Sequence, residues 1–101
     1  MSTVPQTAPT QVADRTADVQ VLDVREPDEV ATGAIAGSTP IPLGQLAARA
    51  GELDRTRPVV TVCQSGRRSQ QAAEALAAAG FDVANMTGGM NAWREAGLPT
   101  R

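Results

Sequence analysis

Cys63 and the six residues after it, Gln64-Ser65-Gly66-Arg67-Arg68-Ser69, are the part of this chain whose types and spacing suit chemistry. Cys63 is the single cysteine, and no histidine is present to act as its base. Activation must therefore be electrostatic. A β-branched run, Val59-Val60-Thr61-Val62, leads into the cysteine and reads as a buried strand, and Ser69-Gln70-Gln71-Ala72 reads as the start of a helix. Cys63 thus falls at the carboxyl end of a strand, in a tight polar loop entering a helix N-terminus. Converging backbone N–H groups, the positive end of the helix dipole and the arginines four and five residues on all favour thiolate over thiol. A thiol with a pKa near 8.5 is only about 3% ionised at pH 7; lowering that pKa by roughly two units leaves about three-quarters ionised. The competing interpretation is an inert core cysteine ending a Val-rich strand, for which this polar loop is a poor setting. The pattern predicts a nucleophile.

The elements that must hold this loop follow from the rest of the chain. A length of 101 residues predicts one small domain. Apolar residues make up 42%, yet the only aromatics are Phe81 and Trp93, so the core must be built from Val, Leu, Ile and closely packed alanines. Met1 to about Thr10 is rich in Ser, Thr and Pro; residues 1–11 are expected to be a flexible N-terminal tail and 12–101 the folded domain. Val19 to Val24 reads as a strand, and Pro27 opens a short helix to about Val30. Residues 33–42 read as a loop anchored by Ile35 and Ile41. Leu43 to Ala50 predicts a helix with Leu43, Leu46, Ala47 and Ala50 on one face, ended by Gly51. The strand Val59 to Val62 is followed by a helix from Ser69 to Ala79 stopped by Gly80. A strand from Phe81 to Met86, a Gly88-Gly89 turn and a last helix from Met90 to Ala96 complete the chain. Strands alternating with helices predict an α/β fold, with a central, mostly parallel sheet and helices on both faces. Ligands in such sheets bind beyond the carboxyl ends of the strands, where Cys63 is expected.

Charge and composition exclude several function classes. All nine basic residues are arginine, the formal charge is −2, and no basic stretch exceeds Arg67-Arg68. That pattern argues against a nucleic-acid partner. No apolar run approaches the ~20 residues of a membrane span, and the first residues lack the regions of a signal peptide. A lone cysteine cannot form an internal disulfide, which leads to the expectation of a cytoplasmic protein. One cysteine without histidine cannot assemble a zinc-type site, and no cofactor is expected.

Three stretches together carry a resemblance: Leu22-Asp23-Val24-Arg25-Glu26-Pro27, Cys63-Gln64-Ser65-Gly66-Arg67-Arg68-Ser69, and Gly88-Gly89-Met90-Asn91-Ala92-Trp93. Over roughly Val19 to Thr100 the chain resembles a single-domain rhodanese-type sulfurtransferase. The resemblance implies a rhodanese-like domain with a parallel sheet, a Cys63 loop whose amides point at the sulfur, and transfer of sulfane sulfur through a cysteine persulfide. The chain departs from the family pattern at Val30, where an aromatic is common, at Ala34, where a histidine is common, and at Pro40, where an asparagine is common. The segment before Val19 is shorter than usual, so the first helix is expected to be one turn or missing.

Within that frame Cys63 and Arg68 are the candidate catalytic residues, and Gln64, Ser65, Gly66, Arg67 and Ser69 the substrate-binding loop. The Cys63 thiolate would attack the outer sulfur of thiosulfate, sulfite would leave, and the loop amides with Arg68 would hold the persulfide anion. Arg68 has two readings, contact with the anion or bracing of the loop carbonyls. Arg67 also has two, attraction of anionic substrate or a solvated surface charge. Ser65 and Ser69 can donate hydrogen bonds, and Ser69 equally suits a helix N-cap. Gly66 is expected at positive φ, and Gln64 at the mouth. Asp23 and Arg25 read as a structural ion pair rather than catalytic groups. Glu26, Asp28 and Glu29 read as complements to a helix N-terminus, and Met90 and Trp93 as core. No second cysteine can resolve a persulfide, so the acceptor must come from outside: cyanide, a small thiol or a protein thiol.

Two rival classes remain open on the sequence. Phosphatases and arsenate reductases of this fold place five residues between cysteine and arginine, whereas only four separate Cys63 from Arg68. A non-catalytic interaction module is the other; such family members typically lose the cysteine, which is present here.

Overall fold

The computed structural model describes residues 4–101. Five strands form one sheet in the order β1-β5-β4-β2-β3, every neighbouring pair parallel: β1 (Gln6–Thr7), β2 (Gln20–Asp23), β3 (Thr39–Pro40), β4 (Val59–Val62) and β5 (Val83–Met86). Helices α1 (Pro9–Ala13), α2 (Pro27–Val30), α3 (Leu46–Arg49), α4 (Arg67–Ala78) and α5 (Gly89–Glu95) connect and cover them. The expected α/β architecture is observed. The chain spans 33 × 26 × 25 Å.

The two-residue period of the strands divides the core into two layers. Leu22, Val24, Val59 and Val83 pack with Leu46, Ala72, Ala73 and Leu76 of α3 and α4. Val21, Val60, Val62 and Met86 pack with Val12 of α1, Ile35, and Met90 and Trp93 of α5. Cys63 falls in the first layer, so its side chain is on the α4 side of the sheet. Ala72 and Ala73 are fully buried; their small side chains let α4 approach β4 closely, as the scarcity of aromatics requires. Trp93 is buried as expected, and its indole N–H donates to the Pro99 carbonyl at 3.0 Å.

Several expectations need correction. The described part of the expected N-terminal tail is ordered secondary structure: β1 pairs in register with Asn85 and Met86, and Val12 of α1 is buried. Backbone pairing with β5 holds this polar segment, so its composition gave no sign of it. The rest of that expectation, Met1 to Thr3, lies outside the described residues. Strand β3 falls inside the expected loop at 33–42 and contains Pro40, which an edge strand tolerates because its missing N–H is not needed by a neighbour. The single helix expected over Leu43–Ala50 is instead α3 between two 3₁₀ turns, Leu43–Gln45 and Ala50–Glu52. The tighter winding of those turns rotates the apolar stripe, leaving Leu46 buried, Leu43 and Ala50 half-buried and Ala47 exposed. Helix α4 begins at Arg67, two residues before the expected start, and Gly66 is its N-cap.

Candidate active site

Strand β4 delivers Cys63 to the carboxyl edge of the sheet, and Gly66 turns the chain into α4. Gly66 has φ +104°, a left-handed conformation that glycine adopts without steric cost. The turn brings the Gly66 backbone N–H to 3.0 Å from the Cys63 sulfur. It also places Ser69 in the first turn of α4, where its hydroxyl donates to that sulfur at 3.2 Å. Ser69 is thus a donor to the sulfur and not the helix cap.

These contacts set the state of the thiol. Burial of Cys63 pushes its pKa up, but the Ser69 hydroxyl and the backbone N–H groups of Ser69, Gly66 and Ser65 outweigh burial and hold it below the ordinary thiol value. The converging amides expected from the loop are present, and together with the Ser69 hydroxyl they lower the thiol pKa in a chain without histidine. Ser69 is fixed in turn by Thr61 of β4, whose buried hydroxyl donates to the Ser69 carbonyl at 2.9 Å.

The loop carbonyls are tied back by α5. Met90 N–H donates to the Cys63 carbonyl at 2.8 Å and Asn91 N–H to the Gln64 carbonyl at 3.0 Å. With the carbonyls turned toward α5, the loop amides are free to face the sulfur. Such close approach requires glycine at position 89: a Cβ there would lie 2.7 Å from the Gln64 carbonyl carbon. Of the expected Gly88-Gly89 turn, Gly88 is the N-cap of α5 and Gly89 its first residue, one position before the expected helix start, and the two glycines are also the seat of the Cys63 loop. The pair of glycines before a helix was the available signal.

Asp23 and Arg25 form the expected ion pair, with Nη2 to Oδ2 at 2.8 Å and side chains 1% and 0% exposed. Every guanidinium donor of Arg25 is used: Nε and Nη2 on Asp23, Nη2 on the Gly33 carbonyl, Nη1 on the Glu29 carbonyl and on Gln64 Oε1. Arg25 thereby links β2, the Gly33 loop, α2 and the Cys63 loop. Gln64 is held from its other side by Asn91, to whose Oδ1 its amide donates at 2.7 Å.

Arg68 does not bond the loop carbonyls. Its Nη1 and Nη2 donate to the two carboxylate oxygens of Glu29, at 2.6 and 2.8 Å. Arg68 is 35% and Glu29 29% exposed. The Arg68 hydrogen bonds and the Glu26 backbone N–H hold the Glu29 carboxyl down at about 2, against an ordinary value of 4.5. Arg68 is held protonated above its ordinary value, by Glu29 first and also by the negative charge at Cys63. The sequence marks Glu29 only as a helix-end complement; nothing in its spacing ties it to Arg68, 39 residues away. Ser65 and Arg67 are exposed at the outer turn of the loop.

Asn85 of β5 is a further residue that sequence reasoning missed. It is buried, and its amide donates to Gln6 Oε1 of β1 at 2.9 Å and more weakly to the Gly66 carbonyl at 3.4 Å. The departures at Val30 and Pro40 both line an open, largely apolar groove of about 430 Å³ beside α2, with Arg25 and Pro42. At the third departure, Ala34, the backbone pairs with Arg101 in both directions.

The rhodanese-like domain profile matches residues 8–96. The chain belongs to the rhodanese-like domain family. It is 40% identical over 85 residues to a sulfurtransferase of Allochromatium vinosum, covering 83% of this chain and 79% of that protein. It is also 40% identical over 79 residues to the thiosulfate sulfurtransferase GlpE of Shewanella oneidensis, covering 77% and 78% of the two chains. A solved structure of a rhodanese-related protein from Thermoplasma volcanium superposes with a TM-score of 0.93 at 32% identity, covering 96% of this chain and 97% of that one. These relatives support a sulfurtransferase function for this rhodanese-like domain. Among the described residues, no helix is long and apolar enough to cross a membrane.

Proposed function

We propose that this rhodanese-like domain is a thiosulfate sulfurtransferase with Cys63 as its nucleophile. The observation that carries the reading is the set of donors around one sulfur: the Ser69 hydroxyl and the amides of Ser65, Gly66 and Ser69 hold Cys63 toward thiolate. In the first half-reaction the thiolate attacks the outer sulfur of thiosulfate. The new Cys63 S–S bond forms as the donor's S–S bond breaks, and its electron pair leaves on sulfite. The product persulfide carries the negative charge one atom further out, where loop amides and the cation of Arg68 oppose it. In the second half-reaction an external nucleophile, cyanide or the thiolate of a small molecule or protein, attacks the outer sulfur and returns Cys63 to its thiolate.

Cys63 is buried beneath the loop, in which Ser65 and Arg67 are exposed. Arg67, exposed there, adds positive charge where a dianion arrives. The lone unpaired cysteine suits a reducing compartment, and we assign the protein to the cytoplasm.

The test is intact-protein mass spectrometry after brief exposure to thiosulfate. Wild type is expected to gain about 32 Da, one sulfur atom, and Cys63→Ser to gain nothing while remaining folded. Turnover by Cys63→Ser would overturn the reading. A folded, reduced wild type that takes no sulfur from thiosulfate would overturn the choice of donor.

A further inference from the structure

Arg68 and Glu29 pair end to end, joining the first turn of α4, directly after the Cys63 loop, to α2. Both terminal nitrogens of the guanidinium are spent on the carboxylate, and among the described residues Nε–H and the second hydrogen on each terminal nitrogen meet no partner. The loop carbonyls of Cys63 and Gln64 are already held by α5, and that of Gly66 by the Gln70 N–H. Arg68 therefore has no bracing task inside the loop. Its place is set from outside, by a residue on α2.

We propose that Glu29 is a positioning residue: it holds the Arg68 guanidinium at the Cys63 loop, so that the free N–H edge meets an anionic sulfur donor. The proposal deepens the sulfurtransferase reading and rests on it. Two features of α2 make Glu29 suited to the task. Its carboxylate is itself immobilised, because Oε1 also accepts the Glu26 N–H at 3.0 Å in the capping box of α2. Its backbone carbonyl accepts Arg25 Nη1 at 3.1 Å, and the same nitrogen reaches Gln64 Oε1 at 3.2 Å. One short helix is thus fixed to the Cys63 loop at two points, through Arg25 on one side and Arg68 on the other. A half-exposed arginine without such an anchor samples many rotamers and presents no fixed donor edge. Arg68 is the second residue of α4, directly before Ser69, whose hydroxyl meets the Cys63 sulfur at 3.2 Å.

The test uses Glu29→Ala, Glu29→Gln, Arg68→Ala and the Glu29→Ala/Arg68→Ala double variant, each checked for folding by thermal melting. Two readouts are taken: the thiosulfate dependence of persulfide formation, and the pH profile of iodoacetamide alkylation. Glu29→Ala is expected to raise the half-saturating thiosulfate concentration about tenfold while changing the saturated rate less than about twofold, because the anchored cation serves the incoming anion. Its alkylation midpoint is expected to move upward, as a fixed cation near the sulfur is lost. Glu29→Gln, which retains one acceptor for Arg68, should fall between it and wild type, and it serves alone if Glu29→Ala does not fold. In the Arg68→Ala background, Glu29→Ala should add less than about twofold, since Glu29 acts only through Arg68. An unchanged or lowered half-saturation in Glu29→Ala, or an undiminished effect in the Arg68→Ala background, would overturn the proposal. Failure of thiosulfate as the donor has a separate signature: wild type takes no sulfur from it. The alkylation profiles then still decide whether Glu29 sets the Arg68–Cys63 coupling.

Discussion

The Ser69 hydroxyl donates to the Cys63 sulfur across 3.2 Å, from within the first turn of the helix that the sulfur faces. A serine at this point commonly caps a helix; here the positive φ of Gly66 starts α4 early enough to turn the serine onto the thiol instead. Because the donated hydrogen bond favours the thiolate, its removal has a defined sign.

Ser69→Ala is expected to raise the Cys63 pKa, because the hydrogen bond it removes favours the thiolate. Alkylation by iodoacetamide at pH values below the midpoint should slow by roughly tenfold, and the rate well above the midpoint should be unchanged. The full pH profile of alkylation checks this. A profile that overlays wild type would show that the backbone amides alone set the thiolate.

Gly89→Ala tests the seat beneath the loop. Position 89 has φ +58°, and an added Cβ would press on the Cys63 and Gln64 carbonyls. The backbone conformation and the clash together should destabilise the fold by about 2 kcal/mol or more. Gly97→Ala is the control, since Gly97 has φ +75° with nothing within 4 Å of the added carbon; it should cost only about 1 kcal/mol. Urea unfolding of both variants separates the terms. In Gly89→Ala the alkylation rate should also fall, because displaced carbonyls carry the loop amides away from the sulfur.

Asp23→Ala leaves Arg25 charged and buried without its carboxylate. Breaking such a pair from one side costs about 3–5 kcal/mol, a large share of the roughly 5–15 kcal/mol that holds a domain together. The variant should melt far below wild type or fail to fold. Arg25→Lys keeps the charge but cannot reach Asp23, Gly33, Glu29 and Gln64 together, so it should also be strongly destabilised. A melting temperature for Arg25→Lys equal to wild type would show that charge alone suffices.

The sequence by itself determined the local chemistry and the class of fold. Val59 to Val62 read as a buried strand because of its β-branched side chains, Pro27 to Val30 as a helical turn because of its proline, and the residues after Cys63 as a polar loop whose donors face the sulfur. These are properties of neighbours in the chain, and neighbours are visible in sequence. What the tertiary structure decided lies between residues far apart. Strands β1 and β3 are two residues each and have no periodicity of their own; parallel partners make them strands. Leu43 to Ala50 has the spacing of one helix, yet it divides where 3₁₀ winding lets Leu46 reach the core. Glu29 meets Arg68, Met90 N–H meets the Cys63 carbonyl, and Asn85 bridges β1 to Gly66 only after the sheet has brought their elements to one edge. Hydrogen bonds and ion pairs act over about 3 Å in space regardless of separation along the chain. A sequence names the groups able to make them, and the fold selects which ones meet.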